Sequence, residues 1–161
     1  MTVVHHSFDL ATLYRAVDSK RLRRRLKWSD VADEIGLPLK VIRNVQFANV
    51  MEADGVLAIV RWLGVAPETF VRPLREGPIP EYMAEGTVWR VDAGALHAAL
   101  DAARVARGTT WTAIARDLGP AITPAALKRL ASGGRVSIHL LAAAAAWLDE
   151  PIAAFTHVME E

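Results

Sequence analysis

The sequence predicts an all-α fold of two tandem five-helix units, and three observations carry that prediction. The chain repeats itself. Residues 8–36 and 91–119 align without a gap, placing Asp9 on Asp92, Leu13 on Leu96, Trp28 on Trp111, Ala32 on Ala115 and Gly36 on Gly119, an offset of 83 (119 − 36). After two inserted residues the match resumes at an offset of 85 (155 − 70), with Ile42 on Leu127, Arg43 on Lys128, Trp62 on Trp147 and Phe70 on Phe155. Apolar residues recur at helical spacing in each copy. No convincing strand alternation occurs anywhere. A duplication of this size predicts two similar small units, each with its own core, and any binding surface presented twice. The expected boundaries are residues 1–72, a packed connector over 73–89, and residues 90–161.

In the first unit, Leu10, Leu13, Tyr14, Val17, Leu22 and Leu26 share one stripe of a helix within residues 8–26, with Asp9 as its N-cap. A short helix over 28–36 turns Val31, Ala32 and Ile35 inward and ends at Gly36. A third covers about 39–47, burying Val41, Ile42 and Val45. A fourth covers about 53–63, with Val56, Leu57, Ile59, Val60 and Leu63 inward and Gly64 as its stop. A last short helix from Pro67 to Val71 gives Phe70 to the core. The second unit repeats this order at about 92–107, 111–118, 124–131, 137–148 and 151–158. Its starts are better formed: Thr110 precedes Trp111, and Thr123 precedes Pro124, pairing a capping hydroxyl with a proline suited to the first turn. The matching Lys27 and Pro38 cap poorly. Pro73, Gly77, Pro78, Pro80 and Gly86 predict a non-helical connector. Its Ile79, Tyr82, Met83, Val88 and Trp89 predict that it packs on the units.

Composition narrows the functional classes. The chain has 161 residues, 52% hydrophobic and 23% charged, which suits a folded soluble protein. It contains no cysteine, so disulfides and thiolate metal sites are excluded. The first nine residues lack a signal-peptide core, and the Leu140–Leu148 run is too short to cross a bilayer. A cytoplasmic location without membrane contact is expected. The net charge of +1 is unevenly spread: residues 1–80 hold 12 Lys/Arg against 9 Asp/Glu, and residues 81–161 hold 7 against 9. Lys20, Arg21, Arg23, Arg24, Arg25 and Lys27 concentrate the excess. They read either as a solvated helix end that complements the helix dipole or as a phosphate-facing surface.

Each copy contains a short helix bearing a small residue, a glycine, a tight turn and a second short helix. The first copy reads WSDVADEIG then LPLKVIRNVQ, and the second WTAIARDLG then PAITPAALKRLASGGR. Ala32 and Ala115 are small because the next helix crosses close to them; this is the steric requirement of a helix-turn-helix. Over both units the sequence resembles the Cro/lambda-repressor-type (XRE-like) helix-turn-helix family, most closely through Ile122 to Gly133. The resemblance implies that the third helix of each unit docks in the major groove of double-stranded DNA. Base reading then falls to Lys40, Arg43 and Asn44 (after Leu39) in the first unit and to Thr123, Ala125, Lys128 and Arg129 in the second. Arg and Lys suit guanine, and Asn suits adenine. Phosphate contact falls to Trp28, Ser29, Trp111 and Thr112 at the start of the second helix, and to Gly134 and Arg135 (with Gly133) in the loop after the third.

The first unit departs from the family pattern. It carries Leu39 and Val41 on its reading helix, lacks the Ser-Gly-Gly-Arg loop, and places Asp30, Asp33 and Glu34 on its second helix. Trp28 and Trp111 stand where family members often have glutamine, and they suit either packing or phosphate contact. Trp62 and Trp147 read as core. His5 and His6 read as an N-terminal remnant, and His97, His139 and His157 are scattered without metal-ligand spacing. No nucleophile elbow or strand-following glycine loop is present. The expectation is a non-enzymatic, cofactor-free transcriptional regulator, a repressor, acting as a homodimer or as a monomeric pseudo-dimer, with no small-molecule ligand inferred. The competing expectation is a protein-interaction module (antitoxin, anti-repressor or adaptor) on the same scaffold.

Overall fold

The structure is a computed structural model describing residues 4–48, 51–75 and 88–159. It is mostly helical, with the repeat expressed element by element. Strand β1 (Ser7–Phe8), helices α1 (Leu10–Arg23), α2 (Trp28–Ile35), α3 (Leu39–Asn44) and α4 (Ala53–Leu63) and strand β2 (Val71–Arg72) form the first half. Strand β3 (Val88–Val91), helices α5 (Ala93–Arg107), α6 (Trp111–Leu118), α7 (Pro124–Arg129) and α8 (Ile138–Leu148) and strand β4 (Thr156–Met159) form the second.

The helical content agrees with the all-α expectation, to which the structure adds short strands that no sequence pattern indicated. β1 pairs with β2 and β3 with β4, both antiparallel, and Phe8↔Val71 repeats as Val91↔Thr156. Each ribbon joins the two ends of its own half and is too short to show alternation. The helix expected over 151–158 is therefore a 3-10 turn at Ile152–Phe155 followed by β4, and that expected from Pro67 is a 3-10 turn ending at Phe70. The third helices are also shorter than expected, running into 3-10 turns at Val45–Phe47 and Leu130–Ser132. β3 takes Val88 and Trp89 from the expected connector into the second half. The rest of the connector's predicted packing, at Ile79, Tyr82 and Met83, lies outside the described residues.

Local chemistry fixes the helix ends. The Asp9 carboxylate accepts the Thr12 N–H at 3.0 Å, and Asp92 accepts that of Ala95 at 2.9 Å. The hydroxyls of Thr110, Thr123 and Ser137 cap α6, α7 and α8. Lys27 cannot cap α2, and the Asp30 carboxylate accepts the Lys27 N–H at 2.9 Å in its place. Gly36 closes α2 at φ +85°, a left-handed conformation that glycine adopts without strain.

The first-helix stripe is buried at Leu10, Leu13 and Val17, but Leu22 is 59% exposed. α1 ends at Arg23, one turn earlier than the stripe assumed. The two halves do not have separate cores. One buried cluster runs from Phe8, Leu13, Ile42 and Leu57 through Leu96, Ile114, Leu141 and Ile152. At its centre lies α8, where Ala142 to Ala145 are all buried. Methyl side chains let α4, α5, α6 and β1 approach this helix together.

The contacts between halves are reciprocal. The Ala53 N–H donates to the Val136 carbonyl at 2.8 Å, and the Ile138 N–H to that of Met51 at 2.9 Å. At the offset of 85 (138 − 53 and 136 − 51) these are the same bond viewed from each side, meeting at the Glu52↔Ser137 bridge. The Phe8 N–H donates to His139 Nδ1 at 3.2 Å, and the Val91 N–H donates to Asp54 Oδ1 at 2.8 Å. Those pairs are equivalent too. Self-complementary exchange of this kind is the signature of a two-fold relation. Here it is made within one chain.

Candidate nucleic-acid interface

The helix pairs α2–α3 and α6–α7 each meet at a glycine bend, over Ala32 and Ala115, both buried. One side of each third helix anchors it, through buried Ile42 and Val45 in one half and Leu127 and Leu130 in the other. The opposite side is solvent-exposed. It carries Lys40, Arg43 and Asn44 in the first half, and Thr123, Ala125, Lys128 and Arg129 in the second. Among the described residues, the side chains of Lys40, Arg43, Asn44, Lys128 and Arg129 form no hydrogen bond or ion pair. Thr123 does engage: its Oγ1 accepts the Ala126 N–H at 3.1 Å, which commits that oxygen to capping α7.

Trp28 and Trp111 are half-buried, and both are held by protein groups. Trp28 stacks on Tyr14 at 5.2 Å between centroids, with the Arg21 guanidinium 4.7 Å from its ring. Trp111 stacks on His97 at 5.2 Å, with Arg104 at 5.5 Å. Each arginine is oriented by a carboxylate three residues earlier, Asp18 or Asp101, at 2.7 Å. These contacts fasten the second helix of each half to the first. Tyr14 and His97 are equivalent positions occupied by different residues, so the shared role of flat rings escapes a search for identical letters. The neighbouring Ser29 and Thr112 are exposed.

Trp62 and Trp147 are half-buried rather than fully core. Lys20 lies 4.3 Å from the Trp62 ring, and Arg107 lies 4.1 Å from the Trp147 ring. The cations come from non-equivalent positions of α1 and α5 but cover the same surface. The Trp62 indole nitrogen is buried without a hydrogen-bond partner among the described residues.

The basic cluster divides by role. Lys20 and Arg21 pack on tryptophans, and Arg24 pairs with Glu34 at 2.7 Å. Arg23, Arg25 and Lys27 remain exposed at the α1–α2 junction, and their side chains have no partner among the described residues. They offset the charge of Asp30, whose carboxylate accepts the Lys27 N–H at the start of α2. The start of α6 carries no acidic residue and presents Trp111, Thr112 and Ala113. After α7 the chain opens at Gly133 and Gly134, where no heavy atom lies within 4 Å of an added Cβ. Arg129, Gly134, Arg135 and Ser137 line a cleft of about 400 Å³ there. Arg135 is 89% exposed and only 3.9 Å from Glu52, a weak tie.

His6 and His139, read as remnant and scatter, are both part of the fold. His6 is half-buried, and burial followed by the charge of Arg75 pushes its imidazole below the ordinary histidine range. Compared with protein families, curated proteins and solved structures, the chain matches none.

Proposed function

We propose that α2–α3 and α6–α7 are helix-turn-helix pairs of the lambda-repressor-like type, and that the chain is a sequence-specific double-stranded DNA-binding regulator carrying both reading heads in one polypeptide. One observation carries the reading. The exposed sides of both third helices hold Lys and Arg side chains that form no hydrogen bond or ion pair among the described residues. Long cations left without partners among the described residues suit a polyanion with readable base edges. The cleft between Arg129 and Arg135 has the charge for a phosphate, and Arg23, Arg25 and Lys27 supply the matching charge in the first half. The reciprocal junction would then replace the interface of a repressor dimer, and regulation by occlusion of a promoter follows.

The test is a competition shift assay on a duplex selected by the protein. Replacing Lys128 and Arg129 with alanine removes preference for that duplex over random DNA, while the helical circular dichroism stays unchanged. Equal selectivity before and after the change refutes base reading by α7.

A second reading has its own observation. Leu22 and Val105 are equivalent positions (105 − 22 = 83), and both are exposed, at 59% and 67%. Matched apolar side chains on both halves favour a protein partner, as an adaptor or antitoxin would require. Nuclease-treated pulldown that recovers a partner from wild type, but not from a Leu22→Asp/Val105→Asp chain, supports it.

A further inference from the structure

We infer that the two halves read unequal sequences in inverted order, so that one chain recognises one non-palindromic, two-part duplex site. The inference rests on the DNA-binding reading above and specifies its target. The reciprocal bonds at Met51–Ala53 and Val136–Ile138 relate the halves by a half-turn. Two reading helices related in this way meet the two strands with opposite polarity, as in a symmetric dimer. A dimer of identical chains must then read identical half-sites. This chain is free of that constraint, because the reading positions have diverged.

The divergence can be followed along each exposed stripe. Positions 40, 43, 44 and 47 of the first half correspond to 125, 128, 129 and 132 of the second, at the offset of 85 (125 − 40). The first stripe is Lys40, Arg43, Asn44 and Phe47; the second is Ala125, Lys128, Arg129 and Ser132. Only the second and third residues of each lie at the same step with exposed polar heads that have no partner among the described residues, and the third differs in kind. An Asn amide donates and accepts, which matches adenine N7 and N6; an Arg guanidinium only donates, which matches guanine N7 and O6. The first residue replaces a cation with a methyl group, which suits the thymine C5-methyl. The fourth is a phenylalanine 76% exposed in one half and a serine, donating to the Arg129 carbonyl at 3.1 Å, in the other. An exposed phenylalanine following Arg43 and Asn44 on the same stripe gives the first half an apolar contact that the second lacks. The first half-site therefore contains an adenine read by Asn44, and the second a guanine in its place, read by Arg129.

The experiment is selection of bound duplexes from a random pool by the full chain, followed by native mass spectrometry of the complex. The expected result is one enriched site with two dissimilar halves in inverted order, bound by one chain. Asn44→Ala then relaxes selection in one half only, and Arg129→Ala in the other, each lowering affinity for the parent site by about tenfold or more. Both residues are exposed, and far-UV circular dichroism checks that each variant folds. A palindromic site, a single half-site, or two chains per site overturns the inference while leaving DNA binding in place. A pool with no enrichment overturns the DNA-binding reading and this inference together.

Discussion

Arg25 sits in a backbone conformation that its counterpart meets with glycine, and replacing it separates stability from binding. Its φ is +55°, and Gly108, at the equivalent position (108 − 25 = 83), has φ +61°. Both halves end their first helix with the same reversal, in which the Leu26 N–H reaches the Arg21 carbonyl and the Thr109 N–H that of Arg104, each at 3.0 Å. An L-residue in this region costs about 1–2 kcal/mol, whereas glycine costs about 0.5–1 kcal/mol through its freer unfolded chain. The Arg25 side chain is exposed and forms no bond among the described residues, so Arg25→Gly removes no contact. The net gain is about 0.5–1 kcal/mol, a rise in Tm of about 2–4 °C for each kcal/mol at this chain size. On the proposed function, Arg25 neutralises a phosphate at the α1–α2 junction. The slope of log affinity against log salt then shrinks by about 0.9.

Asp149 supplies the control. It has φ +56° where the first half has Gly64, and its fully exposed carboxylate lies 3.7 Å from Arg75, a pair of little worth. Asp149→Gly raises Tm by a similar amount and leaves the salt slope unchanged. Calorimetry and fluorescence anisotropy titrations at several salt concentrations read both quantities. A fall in Tm for Arg25→Gly refutes the strain argument. An unchanged slope refutes the phosphate contact.

Two further outcomes concern stability. Glu68 is buried, and its Oε1 accepts the Ile152 N–H of the other half at 2.6 Å. Glu68→Ala strands that donor and lowers stability by about 2 kcal/mol in urea denaturation, and Glu68→Gln, which keeps an acceptor, restores part of the loss. The Thr12 hydroxyl, then the Thr12 N–H, with Arg72 and Arg15 adding to them against opposing burial, hold the Asp9 carboxyl below the usual carboxylate range. Because the folded value is the lower one, the stabilisation is complete above the ordinary range and is lost as pH falls through the folded value. Asp9→Ala therefore costs about 1 kcal/mol at neutral pH, and the difference from wild type closes in strong acid. A gap that persists in acid would assign the loss to packing.

Much of the helical framework was legible in the letters. The Trp111–Leu118 and Ala53–Leu63 helices lie where periodicity and their glycine stops put them. The exposure of Lys40, Arg43, Lys128 and Arg129 follows from the inward spacing of Ile42, Val45, Leu127 and Leu130. The ribbons were not legible, because strands of two to four residues joining distant ends carry no periodicity of their own. The packing of Trp28 was not legible either: Tyr14 and Arg21 reach its ring only once α1 and α2 are brought together. Nor did the sequence indicate that Asp30, crowding α2 with negative charge, accepts the Lys27 N–H at the start of that helix.

The order of amino acids alone showed that the chain is doubled, by comparison of its two halves. It also determined where α1 to α8 begin and which face of them is apolar, because these depend on neighbours within a few residues. Only the tertiary structure decided that the halves share one core and exchange bonds across a half-turn. Those bonds join Met51 to Ile138, Asp54 to Val91 and Phe8 to His139. Burial is a sum over the whole surface removed from water, so the pairing of two amphipathic units is settled by shape across the molecule, not by any local run of residues.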